Sequence, residues 1–138
     1  MHLEKQFDVS QPHAEAVKVV ARDDTLSALF PDAKTEIIER GETRRTLRAH
    51  YRALGREGTA TFHFDHLPDG DLRFEKVCDG RVWSELKGAV SFQERGDKTR
   101  VRIQLDGRTK SLVPEFTIKG VMQDQMNDMA KALRKLLG

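Results

Sequence analysis

Cysteine is nearly absent from this sequence, which contains only Cys78. No internal disulfide can form, so a reducing compartment is the expected setting. Apolar runs are short as well. None approaches the ~20 residues that a membrane-spanning helix needs, and the first residues have neither the apolar region nor the cleavage site of a secretory signal. These absences predict a cytoplasmic protein with no membrane span.

An excess of charge of one sign is also missing. Lysine and arginine number 24 and the acidic residues 22, which gives a formal net charge of +2. A nearly neutral chain gives by itself no support to nucleic-acid or anionic-membrane binding, which needs clustered charge. Nucleophile elbows, phosphate-binding loops and dinucleotide fingerprints are absent too. The sequence therefore assigns no catalytic residue, and we expect no cofactor and no metal.

What is present is a series of strand-forming segments between two helical ends. From about Lys34 to Thr109 no helix intervenes, which is typical of a meander of antiparallel hairpins. Strands flanked by helices predict an α+β fold with a curved antiparallel sheet of about seven strands. At 138 residues we expect one domain over residues 1–138. The turn signals are Gly41-Glu42, Gly55 to Gly58, Pro68-Asp69-Gly70, Asp79-Gly80 and Gly96-Asp97.

The N-terminal segment predicts one strand and two short helices. Leu3–Val9 alternates as a strand, and Ser10 or Gln11 caps a first helix with Pro12 in its first turn. Asp23-Asp24 starts a second helix that Pro31 stops. The residues expected on the buried sides of the two helices are Ala14, Val17, Val20, Ala21, Leu26, Leu29 and Phe30.

Three turns predict the strand registers. We interpret Gly55 to Gly58 as a symmetric turn, Pro68-Asp69-Gly70 as a three-residue loop with Gly70 in the left-handed conformation, and Gly96-Asp97 as a two-residue turn. The first turn pairs Tyr51 with Phe62, Ala49 with Phe64, Ala53 with Ala60, Arg48 with Asp65 and His50 with His63. The other two pair Phe64 with Phe74, Phe62 with Lys76, Asp65 with Arg73, His63 with Glu75, Phe92 with Val101 and Val90 with Ile103.

Trp83 has two possible placements. Val82, Leu86, Val90 and Phe92 share the inward parity, which turns Trp83 outward. A bulge near Ser84 would turn it inward instead, and both placements stay open.

A long amphipathic helix is predicted from Pro114 to Leu137, ~36 Å in length. A strand of ~10 residues spans ~33 Å, so this helix can cross the whole sheet. Its charged side carries Asp124, Asp128, Lys131 and Lys135. Its apolar stripe consists of Ile118, Met122, Met126, Met129, Leu133 and Leu136.

The order of these elements resembles the START-like helix-grip superfamily, also called SRPBCC. Local matches are Val9-Ser10-Gln11-Pro12 before the first helix, Leu86-x-Gly88-x-x-x-Phe92 in the sixth strand, and Thr99-Arg100-Val101 in the last. The sixth-strand pattern is most similar to the polyketide cyclase/dehydrase and coenzyme Q-binding branch, whereas Leu29-Phe30-Pro31-Asp32 matches that branch only in part. The resemblance implies a lipid-like, sterol-like, quinone-like or aromatic ligand between the concave face of the sheet and the long helix.

The expected cavity is apolar except for two residues, Tyr51 and Lys76. An ammonium group in a dry core costs several kcal/mol. Lys76 therefore either binds a ligand carboxylate, phenolate or quinone oxygen beside the Tyr51 hydroxyl, or reaches solvent, through the cavity mouth or because a bulge turns it outward. Methionine suits a wall that adapts to ligands, and a plain core stripe is the alternative. The candidate residues are Tyr51, Phe62, Phe64, Phe74, Lys76, Leu86, Val90, Ile103, Ile118, Met122, Met126 and Met129.

The leading hypothesis is a protein that binds or transports a hydrophobic small molecule. One alternative is a cyclase or dehydratase that uses Tyr51, Lys76 or His66 for proton transfer. Another is a protein or RNA interaction module on the arginine-rich outer face, although that face lacks the aromatic residues that stack on bases. His50, His63 and Glu75 are interpreted as a surface cluster rather than a metal site, and Cys78 as a buried structural thiol.

Overall fold

The computed structural model describes residues 1–53, 56–78 and 81–138, with the backbone alone at 52, 53 and 56. The predicted turn at Asp79-Gly80 and the glycine at position 55 lie outside these ranges. The strands are β1 (His2–Val9), β2 (Ala33–Arg40), β3 (Arg44–Ala53), β4 (Arg56–His66), β5 (Leu72–Lys76), β6 (Trp83–Arg95) and β7 (Lys98–Thr109). The helices are α1 (His13–Val20), α2 (Asp23–Ala28) and α3 (Lys119–Leu137), preceded by a 3-10 turn at Glu115–Thr117.

The described strands form one antiparallel sheet in the order β1-β7-β6-β5-β4-β3-β2. This arrangement confirms the predicted α+β class and the meander, because every strand from β2 to β7 lies beside its neighbour in sequence. The first strand completes the sheet at its other edge, next to the last strand. We call the face that carries the buried residues Phe64, Phe74 and Ile103 the inner face, and the opposite face the outer face.

Two of the three predicted registers are confirmed. Phe64 lies opposite Phe74 and Phe62 opposite Lys76, and Phe92 lies opposite Val101. Gly70 has a φ of 95°, a left-handed conformation that glycine adopts without a steric cost. The Leu67 N–H donates to the carbonyl oxygen of Asp71 at 2.9 Å, which closes the predicted loop of three residues.

The predicted register between β3 and β4 is wrong by four residues. Tyr51 lies opposite Gly58 rather than Phe62, and the remaining predicted pairs move with it: Ala49 to Ala60, Ala53 to Arg56, Arg48 to Thr61 and His50 to Thr59. The physical reason is that Gly58 belongs to the strand, where the Tyr51 ring covers it: a Cβ on Gly58 would lie 2.9 Å from Tyr51 Cε2. Aromatic cover of a strand glycine from the neighbouring strand is a known sheet device. Because the shift is an even number, the inward and outward parity is unchanged.

Trp83 takes the inward placement. The register between β6 and β7 shifts between Trp83 and Glu85, and the indole ring is buried. Gly107 makes room for it, because a Cβ there would lie 2.5 Å from Trp83 Cζ3. The bulge near Ser84 thus adds an aromatic side chain to the core.

The helices differ from expectation at their ends. The predicted start at Pro114 is a 3-10 turn, and α3 begins only at Lys119. In α1 the N-cap is Pro12 without a side-chain cap, and Ala16 is buried while Ala14 is exposed. A helix of eight residues makes just over two turns, and Ala16 and Val20 are its buried residues. The apolar pattern alone does not determine which residue of each turn is buried.

Candidate ligand-binding site

Helix α3 is fixed to the sheet along its C-terminal half. The backbone N–H groups of Ser10 and Gln11 donate to the carbonyl oxygens of Gly138 and Leu137, at 2.9 and 3.2 Å. These bonds satisfy two of the carbonyl groups that a helix C-terminus leaves unpaired. Farther along, Lys5 Nζ donates to Asn127 Oδ1 at 2.9 Å. The helix therefore runs beside β1 and the turn that follows it.

Most of the predicted cavity wall is packed core. Phe64, Ile103 and Met126 are fully buried, so the protein's own side chains fill the space around them. The buried members of the predicted set are Phe64, Phe74, Leu86, Val90, Ile103, Met122, Met126 and Met129. Phe62, Lys76 and Ile118 are half-buried.

A row of four phenylalanine rings leads from this core to the surface. The Phe64 ring centroid lies 5.6 Å from that of Phe74 and 6.3 Å from that of Phe62. Phe30 completes the row, with its centroid 4.8 Å from that of Phe62. Phe64 and Phe74 are buried, whereas Phe62 and Phe30 are half-buried. We call Phe74, Phe64, Phe62 and Phe30 the aromatic row, and its outer end is an apolar surface that a small molecule can contact.

The segment that carries Phe30 is also linked to α3. Gln125 Nε2 donates to the carbonyl oxygen of Leu29 at 3.3 Å, and Leu29 itself is fully buried. The outer end of the aromatic row thus lies where the segment after α2, strand β4 and the first half of α3 meet.

Lys76 is the polar residue of this region. It lies opposite Phe62, on the inner face by parity, and its side chain is half-buried. Lys76 forms no ion pair with any residue that the structure describes. Its ammonium group is therefore free to bind an anionic or carbonyl oxygen next to the aromatic row.

Tyr51 does not lie beside Lys76, and this predicted neighbourhood is wrong. Tyr51 is opposite Gly58, four residues along β4 from Phe62, a distance of ~13 Å along the strand. Its side chain is 42% exposed, so it contributes to the end of the sheet rather than to a closed cavity. The cause is the four-residue register shift described above.

The three groups considered for proton transfer do not converge. His66 ends β4 and lies opposite Leu72, with its Nε2 3.4 Å from the carbonyl oxygen of Val20. Tyr51 and Lys76 lie toward the other end of the sheet. General acid–base catalysis needs groups within hydrogen-bond reach of one substrate, and these three residues do not form such a set.

The arginines of the outer face and sheet edges are largely paired. Arg44 binds Asp65 through two nitrogens, at 2.8 and 3.0 Å. Arg40 and Arg45 both contact Asp23. Further pairs join Arg100 with Asp8, Arg102 with Glu4 and Arg108 with Glu85. The positive charge is thus neutralised locally, and the described residues show no continuous basic track for RNA.

The histidines proposed as a surface cluster contact different partners. His50 Nε2 lies 3.0 Å from Glu36 Oε1, and His63 Nδ1 lies 2.8 Å from Thr46 Oγ1. No group of three possible ligands converges on a metal position among the residues that the structure describes. Cys78, expected to be buried, is half-buried, with its Sγ 3.6 Å from the carbonyl oxygen of Lys76.

These ion pairs shift the acidity of several carboxyl groups. Hydrogen bonds from Gln104 and Arg102 lower the pKa of Glu4 to about 2. The Arg40 guanidinium lowers the pKa of Asp23, and Arg44 lowers that of Asp65. Asp106 raises the pKa of His2 above its usual 6.5. All of these groups lie away from the aromatic row, so they bear on stability rather than on a binding reaction.

Two surface depressions lie outside the space between sheet and helix. One, of about 380 Å³, is lined by charged groups at the start of β1 and the end of β7, including His2, Glu85 and Arg108. The other, of about 310 Å³, includes the outer-face residues Asp65, Glu75 and Lys87. Both are open to solvent and lined mainly by charged residues, so neither is the enclosed, mostly hydrophobic pocket that an apolar ligand needs.

The sequence pattern missed Phe30 as a member of the site. It placed Phe30 on the buried side of α2, whereas the helix ends at Ala28 and Phe30 turns toward Phe62. The available signal was the Pro31 that follows, because a residue before proline is disfavoured in a helix.

Comparison with known proteins finds its matches among solved structures. No family model and no curated protein matches the chain. The aromatase/cyclase Zhui from Streptomyces sp. R1128 superimposes with a TM-score of 0.82 at 18% identity, over 98% of this chain and 92% of that one. A START superfamily protein from Mycobacterium smegmatis gives 0.74 at 19% identity, over 99% and 96%. A STAR-related lipid transfer protein from Xanthomonas axonopodis gives 0.69 at 20% identity, over 99% and 85%.

Identities of this size show a shared fold and not a shared activity. The superpositions extend over nearly the whole chain, and the sheet order and long C-terminal helix agree with them. The protein has the START-like helix-grip fold that its sequence resembles.

Proposed function

We propose that the protein binds a hydrophobic small molecule between its sheet and α3, at the outer end of the aromatic row. The observation that carries the proposal is the half-buried Phe30–Phe62 pair, with Lys76 opposite Phe62 and no ion pair between its ammonium and any residue that the structure describes. Aromatic side chains with one well-placed polar group are the composition of a small-molecule site. Two structural relatives, a STAR-related lipid transfer protein and an aromatase/cyclase, support the same class of ligand.

The charge of Lys76 favours a ligand with an acidic or carbonyl oxygen. A half-buried ammonium loses part of its hydration, and a charge-assisted hydrogen bond to a ligand restores it. Fatty acids, phenolic polyketides and quinones have such an oxygen at the end of an apolar body. A pure hydrocarbon would leave the ammonium unpaired.

Binding requires side chains to move, because the inner part of the row is packed. Met122 and Met126 lie on the helix side of this space and are buried. Methionine has three rotatable bonds and a polarizable thioether, so it adapts at low cost to a new neighbour. We propose that ligand entry starts at Phe30 and Phe62 and displaces these methionine side chains.

A binding or transport role is favoured over catalysis. His66, Tyr51 and Lys76 lie apart along the strands, so the described residues do not present a paired acid and base. Lys76 alone can orient a ligand oxygen, but it is a single ionisable group without a second acid or base beside it among the three residues considered.

The direct test is native mass spectrometry of the protein after gentle purification, followed by addition of quinones, fatty acids and aromatic polyketides. We expect a bound species of small mass with at least one of these classes. A spectrum that shows only the free protein with every member of the panel would contradict the proposal.

Two dyes separate the aromatic contact from the charge contact. The anionic dye 8-anilinonaphthalene-1-sulfonate and the uncharged dye N-phenyl-1-naphthylamine share an apolar body, and fluorescence titration gives the Kd of each. Lys76→Met should weaken binding of the anionic dye by about 10- to 100-fold, since a hydrogen bond to a charged group contributes ~1.5–3 kcal/mol, and leave binding of the neutral dye unchanged. Phe62→Ala should weaken both.

Lys131→Met is the matched control, because Lys131 is exposed on α3. It should bind both dyes as the wild type does. If Lys131→Met and Lys76→Met weaken the anionic dye equally, the dye responds to net charge, and the assignment of Lys76 is wrong.

A further inference from the structure

Three large apolar side chains project from the segment between β7 and the first turn of α3. Leu112 is 94% exposed, Phe116 81% and Val121 65%. We call these three residues the apolar tip. Elsewhere in the described chain the exposed large apolar residues, such as Ile38 at 37% and Val77 at 48%, are covered to a greater extent. Three large apolar side chains exposed to this degree within ten residues cost free energy in water, and exposed apolar surface of this kind is typical of interaction sites.

The segment holds the tip in a defined conformation. Thr109 Oγ1 donates to the carbonyl oxygen of Val113 at 2.7 Å, and the Val113 N–H donates to the carbonyl oxygen of Lys110 at 2.8 Å. The Thr117 hydroxyl donates to the carbonyl oxygen of Pro114 at 2.7 Å. Its internal hydrogen bonds therefore support a segment that presents Leu112 and Phe116 outward.

The charges around the tip are positive. Lys110 and Lys119 are exposed and form no ion pair with any described residue. Glu115 is the one acidic residue from position 108 to 123, and its carboxylate lies 3.4 Å from the Met1 amino nitrogen. Arg108 is paired with Glu85. Lys110, before Leu112, and Lys119, between Phe116 and Val121, thus remain available for an anionic surface.

We infer that the apolar tip inserts into the interface of an anionic lipid bilayer while Lys110 and Lys119 bind the lipid headgroups. Leucine and phenylalanine side chains with flanking lysines are the composition of interfacial membrane anchors. A second copy of the chain fits less well, because a stable dimer buries ~800 Å² per partner and three side chains supply far less. The inference does not depend on the proposed ligand site, which lies on the inner face.

The inference concerns attachment to a surface and not insertion across it. None of the described helices is both long and apolar enough to span a bilayer. The net charge of +2 does not indicate this surface, because it sums over the whole chain. The charges that matter here are two lysines close together in sequence, whereas much of the other charge is paired.

Co-sedimentation with lipid vesicles tests the inference. The wild-type protein should pellet with vesicles that contain phosphatidylglycerol and stay in solution with phosphatidylcholine alone. Phe116→Ser should lower the partition coefficient about tenfold, and Lys119→Gln about fivefold. Ile38→Ser and Lys131→Gln are the matched controls, because they alter an exposed apolar residue and an exposed lysine elsewhere; both should bind as the wild type does.

Fluorescence gives the position of the tip. In Phe116→Trp the new indole should shift to shorter wavelength on the anionic vesicles and be quenched by brominated acyl chains. Trp83 is buried, so the wild type should show neither effect.

Failure of the wild type to pellet, equal pelleting of Phe116→Ser, or equal binding to phosphatidylcholine would overturn the inference. So would an oligomer of the wild type in solution that Phe116→Ser dissociates, because the tip would then be a protein contact. None of these outcomes changes the dye titrations, so the two proposals are tested separately.

Discussion

Gly88 shows how a single missing side chain shapes the inner face. A Cβ at this position would overlap the Phe74 ring and lie 2.7 Å from the carbonyl oxygen of Gln104. The Phe74 ring, the inner end of the aromatic row, therefore packs over Gly88. It fits there because β6 has no side chain at that position.

Gly88→Ala should destabilise the protein by about 1–3 kcal/mol, the usual cost of overpacking a core. Urea denaturation measures the change. Gly120→Ala is the control: nothing lies within 4 Å of the added methyl group, and alanine in a helix should stabilise by about 0.5 kcal/mol. An unchanged stability of Gly88→Ala would mean that Phe74 can leave its position freely.

At the residue scale, the sequence predicted cross-strand pairs correctly where the turn between two strands has only one suitable geometry. The pair Phe64–Phe74 followed from a loop with one suitable geometry, and it is confirmed. Tyr51 could not be placed, because four residues with two glycines allow more than one hairpin and parity is unchanged by an even shift. The cover of Gly58 by the Tyr51 ring is a tertiary contact that no local pattern contains.

Helix α3 combines a firmly packed end with an exposed one. Its C-terminal half is bonded to the residues that follow β1, while its first turn carries the exposed Val121. The predicted apolar stripe is confirmed as buried at Met122, Met126, Met129 and Leu133. The predicted start at Pro114 was wrong because periodicity does not separate a 3-10 turn from the first turn of an α-helix.

Met126 tests whether this stripe is core. Met126→Ala should cost about 2–5 kcal/mol, as for a fully buried side chain, and Met126→Leu less than about 1.5 kcal/mol because it conserves volume. Both are measured by urea denaturation, with the exposed Gln123→Ala as the control, expected within about 0.5 kcal/mol of the wild type. A small loss in Met126→Ala would indicate that the residue borders empty space.

For the whole molecule, the paired carboxylates predict loss of stability in acid. The pKa values of Asp8, Asp23, Asp65 and Glu85 are lowered in the folded state by the arginines or lysines that they contact, and that of Glu4 is lowered by Gln104 and Arg102. Below the unfolded values of 3.8 for Asp and 4.5 for Glu, the unfolded chain binds more protons than the folded one. The stabilisation is therefore complete above pH ~5 and lost as the pH falls through the folded pKa values.

Urea midpoints measured from pH 6 down to pH ~2 check this expectation. The midpoint should be nearly constant in the upper part of the range and fall in the lower part. Asp65→Asn and Arg44→Gln should each make the fall less steep, because either change removes the same interaction. A steepness unchanged in both variants would show that this pair does not contribute.

The fold as a whole was predictable from the sequence, and the binding region only in part. Turns, alternation and one long amphipathic helix specify the arrangement of a meander, and these signals agree with one another. Where a ligand could enter depends on which aromatic rings stay partly exposed. That property comes from the packing of the Phe30 segment against β4 and α3, elements far apart in sequence.

The edge position of β1 has a consequence for how the chain folds. His2 pairs with Asp106 and Val9 with Thr99, and the N–H groups of Ser10 and Gln11 bond to Gly138 and Leu137. Strand β1 therefore has no native partner until β7 has been synthesised, and the hydrogen bonds of the residues that follow β1 form only once the end of α3 exists. Contacts of such sequence separation slow folding and leave an unpaired edge exposed meanwhile. Charged side chains on an unpaired strand disfavour its pairing with other chains. In β1 these include Glu4 and Asp8, which pair with Arg102 and Arg100 of β7 in the folded protein.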